Sequence, residues 1–321
     1  MNALDTIAAE LKKLRSALIC AHVSPDADAV GSSCGLQRGL ASLGIDAVVY
    51  LFDAVPQRML SLVDGVPIVH EVPARRFDGL IVVDTATRAR TGSAVDALFS
   101  CADKTFNIDH HESNNGWAMF NYIAPHMAAA AVIVEELLRK MQARLDESTA
   151  NLLFAGLLED TGSFHFSNVN TDSFTCAVSL MKAGASAEKV ANSLYYSLPL
   201  RMLALQGKAL ATVQLVLGGR VALMHVTQQD LAEVQALPED TEGLVDIVRS
   251  VQGTLGAIFL RELPDGGWKV SLRSKVPALD VNKIAAAFGG GGHKAAAGCT
   301  IRSGLAEVHR QIVAAFEKAL V

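Results

Sequence analysis

The chain has little of what marks a secreted, membrane-bound or nucleic-acid-coating protein. Its five cysteines (Cys20, Cys34, Cys101, Cys176, Cys299) are scattered and odd in number. None forms a Cys-x-x-Cys pair, which argues against a disulfide framework or a zinc knuckle and for a reducing cytoplasm. No segment approaches an uncharged membrane span, so no membrane partner is expected. The first residues lack the apolar core and cleavage site of a secretory signal; Leu4, Ile7, Ala8, Leu11 and Leu14 instead have the spacing of one face of an amphipathic helix. Basic residues are outnumbered, 28 Lys and Arg against 33 Asp and Glu. The net charge of -5 argues against a general basic surface that coats nucleic acid, while leaving room for a short strand gripped locally. Aromatics are sparse at 6%, and no basic, aromatic-rich segment suits a long single strand. What is present is a chain of 321 residues, half of it apolar and 19% charged, enough for two domains with separate cores.

The apolar pattern predicts an α/β protein. Continuous apolar runs at Ala17 to His22, Asp46 to Phe52, Gly79 to Asp84 and Thr105 to Asp109 suit strands buried on both faces of a mostly parallel sheet flanked by helices. A helix is expected over Gly31 to Leu43, ended by Gly44. From Met127 to Leu210 the periodicity is helical. Beyond Leu215 strands return at Arg220 to Val226, Thr254 to Glu262 and Gly267 to Lys275, the last two joined as a hairpin by Pro264-Asp265-Gly266-Gly267. Helices are expected at Gln228 to Val234, Gly243 to Val251, Val281 to Phe288 and Leu305 to Leu320. The organisation read from this is a first domain over 1–185, a helical linker over 186–214 and a smaller α+β domain over 215–321.

Ligands of open α/β sheets bind at the carboxyl ends of the strands. That is where His22, Asp26, Asp28, Asp84 and the run Asp109-His110-His111 fall, with Asp160 at the end of a helical segment. Divalent ions such as Mn²⁺ take carboxylate and imidazole ligands, and a pair of ions can hold both nucleophile and phosphate in an in-line displacement. His22, Asp26, Asp28, Asp84, His110 and Asp160 supply enough ligands for two ions with one bridging carboxylate. Each residue alone has a plainer use. Asp26 or Asp28 suits a helix N-cap, Asp84-Thr85 a turn, and His22 a hydrogen-bonded strand end. The joint placement of all of them at one end of the sheet is what favours a site. Four consecutive glycines before His293 would let the backbone approach an anion closely, or cap a helix ending at Phe288.

The segments His22-Val23-Ser24-Pro25-Asp26-Ala27-Asp28-Ala29-Val30-Gly31-Ser32, Val83-Asp84-Thr85, Asp109-His110-His111 and Asp160-Thr161-Gly162-Ser163-Phe164 resemble, in order, the signatures of the DHH phosphoesterase superfamily. The tail Gly289 to Gly298 is similar to the glycine-rich signature of its DHH-associated C-terminal domain. The resemblance covers nearly the whole chain. It implies one ion held by His22, Asp26 and Asp84, and another held by Asp28, Asp84, His110 and Asp160. His111 would face the substrate phosphate, and Asp109 would orient the histidines. The ions would be Mn²⁺, with Mg²⁺ or Co²⁺ also compatible with the ligands, and would generate the hydroxide nucleophile. Arg273 resembles the family's substrate-gripping arginine. Arg90, Gly290, Gly291, Gly292 and His293 would add substrate contacts, in a cleft between two domains.

Within the superfamily the chain most resembles the branch that hydrolyses short oligoribonucleotides and 3'-phosphoadenosine 5'-phosphate. Linear dinucleotides are related substrates, and relatives often form homodimers. The alternatives are a cyclic-dinucleotide phosphodiesterase and a RecJ-type single-strand exonuclease, the latter usually a longer chain. A pyrophosphatase would lack the glycine-histidine tail. A non-catalytic nucleotide sensor would have lost a metal ligand, and every expected ligand is present.

Overall fold

The computed structural model describes residues 3–320. The chain divides into two compact units after Ser197, inside the stretch read as the linker.

The first unit opens with α1 (Ala3–Leu11), which buries Leu4, Ile7, Ala8 and Leu11 as their spacing predicted. It continues through β1 (Ser16–Cys20), α2 (Ala27–Ser42), β2 (Asp46–Tyr50), β3 (Ile68–Val69), β4 (Phe77–Val83), α3 (Val95–Ser100), β5 (Ala102–Asp109) and β6 (Phe120–Ile123). Helices α4 (Ala130–Met141), α5 (Glu147–Asp160), α6 (Thr171–Lys182) and α7 (Ala187–Ala191) follow, the last running into a π turn over Asn192–Tyr196. The strands form one sheet in the order β3-β2-β1-β4-β5-β6, and among the described residues all of its pairings are parallel. The chain leaves β1 toward β2 and β3, then returns to β4 on the other side of β1. This reversal is a switch point, and the crevice it opens lies beyond the carboxyl ends of β1 and β4.

Strands β3 and β6 were absent from the sequence reading. Both are half-buried edge strands, and β6 reads Phe-Asn-Tyr-Ile, without the apolar run of a central strand. Helix α2 begins at Ala27, four residues before the predicted start at Gly31, because Asp26 caps it. The apolar core joins α1, α2, α4 and α5 to one face of the sheet, and a smaller cluster around Leu18, Tyr50, Phe77 and Leu98 covers the other.

The second unit comprises α8 (Leu200–Ala211), β7 (Gln214–Val216), β8 (Val221–Val226), α9 (Gln228–Glu233), α10 (Leu244–Arg249), β9 (Gly256–Glu262), β10 (Trp268–Ser274), α11 (Val281–Ala286), β11 (Gly291–Gly292), β12 (Ala296–Ile301) and α12 (Leu305–Ala319). Its sheet runs β11-β12-β10-β9-β8-β7, antiparallel except between β8 and β9. The β9–β10 hairpin turns where the sequence placed it, with Leu263 N–H donating to Gly267 O at 2.7 Å. One face packs on α11 and α12, the other on α8 and α10. Among the described residues no helix is long and apolar enough to cross a membrane, and all five cysteines are buried and unpaired.

Candidate metal centre

The loop after β1 carries His22, which is buried at 7% exposure. Its Nδ1 lies 2.9 Å from the Val23 carbonyl, which can only accept, so the ring proton belongs on Nδ1. Arg90 Nη2 lies 3.3 Å from the same nitrogen, but a guanidinium only donates and cannot share it. Nε2 therefore faces Asp84 Oδ2 at 3.5 Å and Asp26 Oδ2 at 3.8 Å. His110 is turned the same way. Its Nδ1 lies 3.3 Å from Met127 O, and Nε2 faces Asp160 Oδ2 at 3.1 Å, Asp84 Oδ1 at 3.3 Å and Asp28 Oδ2 at 4.0 Å.

Asp84 stands between the two histidines, one oxygen toward each. It follows β4 in a left-handed conformation, φ +49°, rare for a residue with a side chain. Its buried Oδ1 has no hydrogen-bond partner among the described residues. Among the described residues three overlapping groups have ligand atoms mutually within 4.8 Å: His22, Asp26 and Asp84; Asp28, His110 and Asp160; Asp84, His110 and His111.

The electrostatics describe a pocket short of positive charge. Burial alone would lower both imidazoles, but the carboxylates outweigh it and lift His22 to about 9 and His110 to about 12. Burial lifts Asp160 to about 6, and burial with the charges of Asp84 and Asp160 pushes Asp28 well above its usual range. Burial would raise Asp84 too, but the two imidazoles beside it win and hold it low. The donor set fits divalent cations. Two ligand atoms each about 2.1 Å from one ion stand about 3.0–4.2 Å apart, and the contacts between these groups span 3.1–4.0 Å. A divalent cation would take the place of the protons that these carboxylates hold on the two imidazoles, and would partner the orphaned oxygen of Asp84.

His111 is set differently. Its Nδ1 lies 2.8 Å from Asp109 Oδ1 and 3.6 Å from Asp84 Oδ1. A nitrogen that donates to Asp109 has no lone pair for a metal, and Asp109 raises the imidazole above its ordinary value. Asp109 is buried; Oδ1 also accepts from His110 N–H at 2.8 Å, and Oδ2 accepts from Asn114 Nδ2 at 2.6 Å. Asp109 thus orients the ring of His111 but only the main chain of His110, whose ring is held by Met127.

Three features escaped the sequence reading. Asp28 caps α4 from a distance: Oδ2 accepts from Ala130 N–H at 2.6 Å, and Oδ1 from Ala131 N–H at 2.9 Å and Ser32 Oγ at 3.0 Å. Gly156 makes room for it, since a Cβ there would stand 2.5 Å from Asp28 Oδ1. Glu159 bonds Arg58 and the Ala27 amide. Of these, only the small residue facing Asp28 leaves any local signal, and a glycine within a helix is not distinctive without the fold.

In the second unit, Arg273 lies on β10 with its guanidinium engaged: Nε donates to Asp246 Oδ1 at 3.1 Å and Nη1 to Leu272 O at 3.2 Å. Gly291 and Gly292 form the short edge strand β11 paired to β12, so the glycine run is not an open loop. His293 closes that hairpin, its N–H donating to Ala296 O at 2.7 Å. Arg90 is exposed on a 3-10 turn after β4, and its carbonyl accepts from Val23 N–H at 2.7 Å. Arg88 instead lies over the Phe99 ring at 4.0 Å.

Residues 16–157 match the DHH family, N-terminal domain, and residues 224–321 match the DHHA1 domain. The chain is 31% identical to the bifunctional oligoribonuclease and PAP phosphatase NrnA of Thermus thermophilus, over 88% of this chain and 83% of that protein. The chain belongs to the DHH family. The Bacillus subtilis protein of the same name is 27% identical over 88% of each chain. A crystal structure of an exopolyphosphatase-related protein from Bacteroides fragilis has the same fold, with a TM-score of 0.92 at 24% identity, covering 98% of this chain and 96% of that one. The DHH signature itself is Asp109-His110-His111, at the carboxyl end of β5.

Proposed function

We propose that this DHH protein is a divalent-metal-dependent phosphoesterase that hydrolyses short oligonucleotides to mononucleotides and removes the 3'-phosphate of 3'-phosphoadenosine 5'-phosphate. The observation that carries it is Asp84 between His22 and His110, with one carboxylate oxygen directed at each. The relatives from Thermus thermophilus and Bacillus subtilis, by their names, supply the substrate classes. One ion would be held by His22, Asp26 and Asp84, the other by Asp28, Asp84, His110 and Asp160. Divalent ions bound there would lower the pKa of water and offset phosphate charge.

The chain's own residues divide the remaining work. Asp84 fixes the spacing of the two ligand groups. Val23 O and Met127 O hold the imidazoles in the tautomer that ligates. His111, held by Asp109 through Nδ1, would direct Nε2 toward a phosphoryl oxygen or the leaving oxygen. Arg90, at the rim beside His22, suits a further phosphate contact. Arg273, His293 and the glycine strand of the second unit are read as substrate contacts. Mn²⁺ is the expected ion, the protein is read as cytoplasmic, and a homodimer is compatible.

The test is a panel of di- to pentanucleotides, 3'-phosphoadenosine 5'-phosphate, cyclic dinucleotides and pyrophosphate, each with added Mn²⁺, Mg²⁺ or Co²⁺. Release of mononucleotides from dinucleotides, and of phosphate from the bisphosphate, is expected. Turnover of pyrophosphate alone, or of none of these, refutes the reading.

A further inference from the structure

We infer that Glu159 and Arg58 form a positioning pair that holds the first turn of α2, and with it Asp26, in the arrangement that binds cation. Glu159 directly precedes Asp160 at the end of α5, yet among the described residues no candidate metal group includes it. Both of its oxygens are committed. Oε1 accepts from Arg58 Nη2 at 2.7 Å, and Oε2 accepts from the Ala27 N–H at 3.2 Å. Ala27 is the first residue of α2 and is 0% exposed, so water does not serve its amide. The next two amides of the turn, Asp28 N–H and Ala29 N–H, donate to Asp26 Oδ1 at 3.1 and 3.0 Å.

This is a division of labour between two carboxylates. Asp26 gives Oδ1 to the helix and keeps Oδ2 directed at the metal group, 3.8 Å from His22 Nε2. Without Glu159 the Ala27 amide would be a buried donor with no acceptor, and the nearest remedy is a swing of the Asp26 carboxylate away from the cation. Arg58 serves Glu159 twice. A charge-assisted bond fixes its rotamer, and the positive charge keeps a third acid beside Asp26 and Asp160 from acting as a stray ligand. Arg58 is anchored in turn: its carbonyl accepts from Ser193 Oγ at 2.5 Å, and Ser193 Oγ lies 2.9 Å from Ser61 Oγ.

The inference rests on the metal reading above, and the experiment separates the two. Mn²⁺ is titrated calorimetrically into full-length parent, Glu159→Gln, Glu159→Ala and Arg58→Met, and dinucleotide hydrolysis is followed at limiting and saturating Mn²⁺. Glu159→Ala and Arg58→Met are expected to weaken Mn²⁺ at one site by about 10–100-fold. Their kcat should recover as Mn²⁺ is raised, with KM for the dinucleotide unmoved. Glu159→Gln keeps an amide oxygen for Ala27 and should lose less. Each variant is checked for a cooperative unfolding transition; Glu159→Gln and Arg58→Met preserve shape, so the test survives if Glu159→Ala does not fold. Parental Mn²⁺ isotherms in those two folded variants, with only a lower melting temperature, would overturn the positioning role. A parent that takes up no Mn²⁺ would instead refute the metal reading itself.

Discussion

Gly156→Ala offers a sharp measure of how tightly the second ligand group is built. In an exposed helix interior the change would stabilise by about 0.8–1 kcal/mol. At position 156 the new Cβ would lie 2.5 Å from Asp28 Oδ1 and 3.0 Å from both Asp28 Cα and Ala131 Cβ. None of these is the loose end of a long side chain. Asp28 Oδ1 is held by Ala131 N–H at 2.9 Å and Ser32 Oγ at 3.0 Å, so moving it breaks bonds to a buried carboxylate. Overpacking costs about 1–3 kcal/mol, and a hydrogen bond to a charged group is worth about 1.5–3 kcal/mol. After the helix gain, a net loss of roughly 2–5 kcal/mol is expected. Asp28 must shift as well, so Mn²⁺-dependent hydrolysis should fall even at temperatures where the variant is folded. Gly207→Ala is the control: it sits in α8 with nothing within 4 Å of the added methyl, and should stabilise by up to about 1 kcal/mol. Urea unfolding and dinucleotide turnover read both variants. A Gly156→Ala protein as stable and as active as its parent would refute the claim that this contact sets the position of Asp28.

Other changes test other parts of the molecule. Asp84→Asn keeps the side-chain shape and tolerates the left-handed backbone at φ +49°. It should weaken Mn²⁺ by more than about 100-fold and abolish turnover, whereas a near-parental rate at matched Mn²⁺ contradicts the bridging role. Gly291→Ala has open space, with only Asn282 Oδ1 near at 3.8 Å, and should leave stability unchanged but raise KM if an anion meets this strand's backbone; an unchanged KM counts against that contact. Asp146 caps α5, and although burial pushes it up, the Thr149 N–H and O–H and Arg38 hold it at about 2. A depressed folded pKa gives stability that is present above the unfolded value of about 3.9 and is lost as pH falls toward the folded one. Asp146→Ala should cost about 1 kcal/mol at pH 7, with the gap to the parent closing between about pH 4 and 2 in urea titrations.

The candidate ligands are legible in the sequence because a parallel sheet leaves a strong trace. Each of β1, β4 and β5 is an apolar run, and the polar groups begin where the run ends. The edge strands β3 and β6 left no such trace, since half-buried pairing needs no apolar run. The start of α2 was misplaced for a more instructive reason. Cap and ligand are not rival uses of Asp26, since a carboxylate has two oxygens: Oδ1 caps the helix while Oδ2 faces His22. Asp28 differs: both of its oxygens accept from the first amides of α4, and Oδ2 also faces His110 Nε2 at 4.0 Å. Glu159 could not be singled out, because a Glu in the last turn of a helix ordinarily faces solvent; here Arg58 and the first amide of α2 engage it.

The glycine run shows how a local pattern can be real and still have a second cause. Gly289 has φ +74° and ends α11, as the plainer reading of one glycine required. A Cβ at Gly290 would stand 2.2 Å from Gly298 O, and one at Gly292, with φ +149°, would stand 2.6 Å from Ala296 O. Both positions are therefore fixed by the approach of β11 to β12, whatever the strand binds. Only Gly291 lacks an intramolecular reason to be glycine. Yet β11 is the edge of its sheet and is exposed, so the side of its backbone turned away from β12 is available to an anion. The protein's own packing accounts for the glycines at 290 and 292, so a substrate anion would meet this strand at its exposed edge, at position 291.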